Sequence, residues 1–234
     1  MPLARTESAP PAELPALTLD LFSDIACPWC YVGERRLAEA LRQRPGVRVE
    51  RRWHPFLLQP DLPRAGVPWA AFAAEKFGGA ERTAAMYRHM RSAGEPAGIA
   101  FDFEAMRVAP NTRDAHRLIL ATSDTLGAEA GFVLADRLFR AYFEEGQNVS
   151  DADTLARLAA ETGLPEPDAR AVLASDAFAR DIDESVAAAA RIGVTGVPFY
   201  IVGRRYAVSG AQPPAAFLDV IDRALAASPD ATTA

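Results

Sequence analysis

Along the chain the spacing of apolar residues switches from a two-residue period to a helical one and back, and the switches outline the elements. Leu17-Thr-Leu-Asp-Leu-Phe22 alternates and predicts a strand. After a short loop, Ser23 to Ala26, the residues Cys30, Leu37, Ala38 and Leu41 share one helical face. They predict a helix from about Pro28 to Gln43, stopped by Pro45-Gly46. Val47 to Trp53 reads as a second strand, ended by His54-Pro55. Strand, helix, strand in this order implies two parallel strands joined by a right-handed crossover.

Helical spacing dominates the middle. Pro68 to Phe77 and Ala80 to Arg91 are predicted helices separated by Gly78-Gly79, and 94–110 is irregular. Leu118 to Leu126 is amphipathic, as is Phe132 to Phe143, with Ala135, Phe139 and Tyr142 on one face. Ser150-Asp-Ala-Asp153 has the form of a capping box opening a further helix, and Phe178 to Ile192 places Ile182, Val186 and Ala189 inward. From Gly193 the strand period returns. Val197 to Val202 and Tyr206 to Ser209 flank Gly203-Arg-Arg205 as a hairpin, and a helix opening at Pro213-Pro214 buries Phe217, Ile221 and Leu225.

The expected organisation is a discontinuous α/β domain, 16–66 and 193–228, interrupted by a helical insertion, 67–192. A disordered leader (1–15) and tail (229–234) complete it. Half of the 234 residues are hydrophobic, enough for a sizeable core. The net charge of -6 gives nucleic acid no basic surface to bind. Lys76, the only lysine, reads as part of a compositional preference for Arg. No run of about 20 apolar residues exists to span a membrane, and the Pro- and Ala-rich N-terminus resembles neither a secretory signal nor a transit peptide. These features predict a cytoplasmic protein, in whose reducing surroundings a structural disulfide is not expected. The two cysteines therefore need a chemical explanation.

Cys27-Pro-Trp-Cys30 lies where the first strand turns into the first helix. Pro28 suits the first helical position. The N–H groups of Trp29 and Cys30, with the positive end of the helix dipole, are placed to stabilise a Cys27 thiolate. Cys27 is thus the expected exposed nucleophile. Cys30, one turn later on the buried stripe, is the expected resolving thiol, and disulfide exchange needs that asymmetry. A lone CxxC can also be half of a zinc site, but no second pair exists and His54, His89 and His116 are scattered, so no metal is expected. Two inert core cysteines remain the bland alternative.

With these elements stand Asp24-Ile-Ala-Cys-Pro-Trp-Cys-Tyr-Val-Gly33, Asn111-Thr-Arg-Asp-Ala-His-Arg-Leu118, Ala141-Tyr-Phe-Glu-Glu-Gly146, Gly193-Val-Thr-Gly-Val-Pro-Phe199 and Ser209-Gly-Ala-Gln212. Together they resemble the FrnE-like branch of the DsbA family, over roughly Leu17 to Leu225. The resemblance implies a thioredoxin fold with a large α-helical insertion between its β-α-β and β-β-α halves, and thiol–disulfide oxidoreductase activity. It carries the nucleophile to Cys27, the resolving thiol to Cys30 and a cis-proline to Pro198. Pro28, Trp29, Val197, Pro198 and Asn111 become the expected substrate contacts, although Asn111 reads first as a helix N-cap and Trp29 equally well as packing against the inserted helices.

Three departures qualify the match. DsbA enzymes carry His in the dipeptide where this chain has Pro28-Trp29, so its disulfide is expected to be less oxidising. The buried carboxylate common six residues before the nucleophile is replaced by Leu21; Asp20 and Asp24 flank it, and these two or His116 are the candidate proton relays. Residues 1–15 do not read as an export signal, so the family's periplasmic oxidising role is not expected to carry over. Expected partners are thiol or disulfide substrates and a cellular dithiol reductant, with glutathione or another low-molecular-weight thiol as a co-substrate and no bound cofactor. Monomer and homodimer both fit. Two rival readings stand beside this one. A glutathione-dependent isomerase or kappa-class transferase typically has Ser at the Cys27 position and needs no resolving thiol; a redox-gated binding protein would use the insertion as its partner surface.

Overall fold

The computed structural model describes residues 16–227; the expected leader and tail lie outside the described residues. β1 (Ala16–Ser23) leads through Cys27 into α1 (Pro28–Arg42), and β2 (Arg48–Pro55) returns parallel to β1, with Ala16 opposite Arg48 and Ser23 opposite Pro55. The inserted segment follows. It opens with β3 (Val67–Pro68), α2 (Trp69–Phe77) and α3 (Ala80–Gly94), then β4 (Val108–Ala109), which pairs with β3. It continues through α4 (Arg113–Leu126), α5 (Ala128–Phe143), α6 (Ala152–Glu161), α7 (Glu166–Ala174) and α8 (Ala179–Arg191). β5 (Phe199–Val202), β6 (Tyr206–Ser209) and α9 (Pro214–Ala226) close the fold. The main sheet runs β2-β1-β5-β6, with β5 antiparallel to both of its neighbours.

β1 is central, so its end is covered on both faces. Leu17, Leu19 and Leu21 join the large core with Leu37, Phe217 and Ile221 of α1 and α9, whereas Phe22 packs with Ala189 and Val194 at the α8 end. The large core continues without a break into the insertion. Tyr31 of α1 stacks on Phe139 at 5.3 Å between centroids, and Trp53 of β2 meets Phe132 edge-on at 5.7 Å. Burying aromatic side chains of this size stabilises by about 1.5–3 kcal/mol each, which is what fixes the inserted helices over α1 and β2.

Some expectations need correction. The inward stripe of α1 is Cys30, Gly33, Leu37 and Ala40, with Ala38 and Leu41 only half-buried. Gly33 allows this rotation, because a Cβ there would overlap the Tyr200 hydroxyl. α6 is capped by Asp151, whose carboxylate accepts from the Thr154 N–H at 2.8 Å. Ser150, the expected cap, instead accepts from the Asn111 N–H at 3.0 Å. α4 begins at Arg113, well before Leu118, because its first turns bury polar side chains. Asp114 and Arg117 pair at 2.7 Å, and His116 is fully covered.

Candidate active site

The loop before Cys27 is fastened by Asp24. Its carboxylate accepts from the Ala26 N–H (3.1 Å) and the Leu58 N–H (2.7 Å), and its carbonyl accepts from the Cys27 N–H (3.0 Å). His116 approaches the same carboxylate to 3.4 Å with Nε2, while its Nδ1 accepts from the Trp53 indole at 3.2 Å. That indole bond requires Nδ1 to be unprotonated and leaves the proton on Nε2, facing Asp24. Burial alone would push the Asp24 carboxyl up. The His116 contact, the Leu58 N–H and Thr112 outweigh it and hold the carboxyl below its ordinary value. Asp24 and His116 thus form a buried clamp joining the Cys27 loop, the segment after β2 and α4. Asp20, the other flanking carboxylate, is engaged by His54 at 2.8 Å, and that hydrogen bond lowers its pKa.

Cys27 is the N-cap of α1, with extended backbone (φ −99°, ψ 110°) and Pro28 in the first turn. It is not the exposed thiol expected; only 5% of it is accessible. The thiol donates to the Val197 carbonyl across 3.6 Å and makes no capping bond. The Cys30 N–H is already engaged on the Cys27 carbonyl at 3.0 Å. A thiolate has no proton to give Val197, so on ionisation the free Trp29 N–H becomes the amide within the helix start that the sulfur can turn to. Cys30 is fully buried. Burial, and then the neighbouring Cys27, push its thiol well above the ordinary range, with Ser23 opposing.

Cys27 faces a cavity of about 340 Å³, and Cys30 does not. Trp29, Trp69, Phe72, Phe77 and Tyr142 give the cavity aromatic walls, with Leu58 and Met86 between them. Of the expected contacts, Cys27, Pro28, Trp29 and Val197 line it; Pro198 and Asn111 do not. The Val197–Pro198 peptide is cis. Pro198 stands behind Val197, facing Gly33 of α1, and its carbonyl accepts from the Gly210 N–H at 2.8 Å. Asn111 is a fastener: its Oδ1 accepts from the Arg113 N–H (3.0 Å) and its Nδ2 donates to the carbonyl of the wall residue Leu62 (2.7 Å). Trp29 both lines the cavity and meets His89 of α3 edge-on at 5.4 Å.

Residues that sequence reasoning missed complete the wall, above all Lys76 and Gln59. The one signal available was that Lys76 is the chain's only lysine. Among the described residues no group of three or more His, Cys, Asp or Glu is placed to hold a metal ion, and no helix is long and apolar enough to cross a membrane.

Comparison with known proteins places the chain in a family. The structure matches that of a probable DsbA oxidoreductase from Streptomyces coelicolor with a TM-score of 0.81 and 32% identity, covering 91% of each chain. The cytosolic disulfide reductase DsbM of Pseudomonas aeruginosa, solved with GSH, shares the fold at a TM-score of 0.62 and 20% identity, over 89% of this chain and 96% of that one. In sequence, the uncharacterised protein YwbO of Bacillus subtilis is 26% identical over 210 residues, 88% of this chain and 94% of that protein. The family model for the DSBA-like thioredoxin domain matches residues 18–222. With its thioredoxin fold, its helical insertion and that match over most of its length, the chain belongs to the DSBA-like thioredoxin domain family.

Proposed function

We propose that the protein is a thiol–disulfide oxidoreductase that exchanges disulfides through Cys27 and Cys30. The observation that carries this reading is the asymmetry of the pair: Cys27 faces the cavity, and Cys30 is sealed one turn behind it with its thiol held protonated by burial. In the reductive direction the Cys27 thiolate attacks one sulfur of a substrate disulfide. That S–S bond breaks, a new one forms to Cys27, and the first product leaves as a thiolate that takes up a proton. Cys30 then gives up its proton and attacks the Cys27 sulfur, and the second product leaves with that proton. Two electrons have passed to the substrate, and the Cys27–Cys30 disulfide awaits a cellular dithiol reductant. The Trp29 face and the Val197 backbone guide the substrate sulfur, with Pro198 setting the position of Val197. Glutathione or another small thiol serves as a co-substrate. A reducing, cytoplasmic setting fits a disulfide that is made and broken in each cycle.

The rival reading, a glutathione-dependent isomerase or transferase, needs one thiol or hydroxyl at the Cys27 position and gives Cys30 no task. Disulfide reduction coupled to a dithiol separates the two. Cys27→Ser and Cys30→Ser should each abolish steady turnover, and a Cys30→Ser variant that turns over at the wild-type rate refutes the exchange reading.

A further inference from the structure

The walls of the cavity are aromatic, yet its rim carries a cation that the exchange chemistry does not use. Lys76 lines the cavity while part of its side chain reaches solvent, so it stands at the mouth. No carboxylate lies within ion-pair distance of it among the described residues; the charges that act on it are those of Asp24 and Cys27, and its ammonium sits over the Phe72 ring at 5.1 Å. Burial draws that ammonium below the ordinary lysine range, with Asp24 and Cys27 opposing. Gln59, which also lines the cavity, has a side-chain amide that makes no hydrogen bond among the described residues. A cation without a carboxylate partner, an unbonded amide and an aromatic, apolar lining are the parts of a site for an amphiphilic anion. Small-ligand sites are commonly cavities of roughly 300–1,000 Å³ with a few polar anchors. Access is narrow: Cys27, which lines the cavity, is only 5% exposed.

Building on the exchange reading, we propose that this cavity selects small aromatic disulfides that carry a carboxylate, with the ring among Trp29, Trp69 and Phe72, the carboxylate on Lys76 and Gln59, and the sulfur at Cys27. Attack by Cys27 breaks the aryl disulfide and releases one aryl thiolate. Cys30 releases the other, and a dithiol reductant restores the pair, so two electrons and two protons reach the substrate.

The test compares dithiobis(nitrobenzoate), dithiodipyridine, bis(hydroxyethyl) disulfide and insulin as substrates of the full chain. Each kcat/KM is divided by the rate at which free glutathione reduces the same disulfide, which removes intrinsic reactivity. The wild type should prefer the carboxylated aryl disulfide over the neutral one by about tenfold, the scale of one charge-assisted contact, and both over bis(hydroxyethyl) disulfide and insulin. Lys76→Met should erase the preference between the two aryl disulfides, and Lys76→Arg should keep most of it. No preference in the wild type, a preference unchanged in Lys76→Met, or insulin as the best substrate overturns the inference and leaves the exchange reading standing. Failure to turn over any of the four disulfides overturns the exchange reading, and this inference with it.

Discussion

Glu34 lies on α1 one turn beyond Cys30, packed where β2 and α5 meet the helix. Only 12% of its side chain is exposed, and one carboxylate oxygen, Oε1, has no hydrogen-bond partner. Its cation, Arg51, is 3.4 Å away but makes its closer bond to Glu129 at 2.5 Å. Burial, joined by Asp136 and Glu129 and opposed by Arg51 and Arg35, raises the Glu34 carboxyl from 4.5 to about 7. The sign follows from which state holds the proton. Between pH 4.5 and 7 the native carboxyl is protonated and the unfolded one is ionised, so this residue makes stability fall as pH rises through that window. At about 1.4 kcal/mol per tenfold change in proton affinity, the total is about 3 kcal/mol, fully expressed above about pH 7. Glu34→Gln keeps the shape and removes the charge. It should therefore be more stable than wild type by about 2–3 kcal/mol at about pH 8 and nearly equal at about pH 4.5. Urea unfolding at both pH values, on the reduced protein, measures the difference. If Glu34→Gln proves less stable than wild type at the higher pH, the Arg51 pair outweighs the burial of the charge and the reasoning is refuted.

Further outcomes follow from residues near the cysteines. Gly33→Ala drives a methyl into the Tyr200 hydroxyl and to 3.0 Å from Pro198, and should cost about 1–3 kcal/mol in urea melts. The Tyr200 hydroxyl is buried without a partner, so Tyr200→Phe should be nearly neutral alone and should recover more than half of the loss when combined with Gly33→Ala. Because Pro28-Trp29 adds no charged donor beside Cys27, the Cys27–Cys30 couple should equilibrate with glutathione buffers at roughly −200 to −260 mV; a value near about −120 mV would contradict that.

What the sequence made legible was local. The alternation from Leu17 to Phe22, the helix start at Cys27-Pro28 and the hairpin around Gly203 are written in neighbouring residues, and each stands where it was expected. What stayed hidden depends on distant packing. Asp114, His116 and Arg117 are polar yet buried through partners outside α4, and this masked the true start of α4. In α7 only Ala169 and Leu173 are buried, too little apolar periodicity to be read as a helix. Cys27 is only 5% exposed and lies beside a cavity lined in part by α2 and α3, whose placement near the motif no local pattern announces. Lys76 belongs to the site for the same reason: its α2 folds back from far along the chain to line the cavity that Cys27 faces.

The central claim is that Cys27 attacks and Cys30 resolves. Reacting reduced Cys30→Ser with a small disulfide and following the intact protein by mass spectrometry tests it most directly. The variant should accumulate one stable mixed disulfide, mapped to Cys27, while the wild type should pass through that adduct to the Cys27–Cys30 disulfide. An adduct on Cys30 in Cys27→Ser forming as fast as the one on Cys27, or a stable adduct on the wild type, would contradict the account.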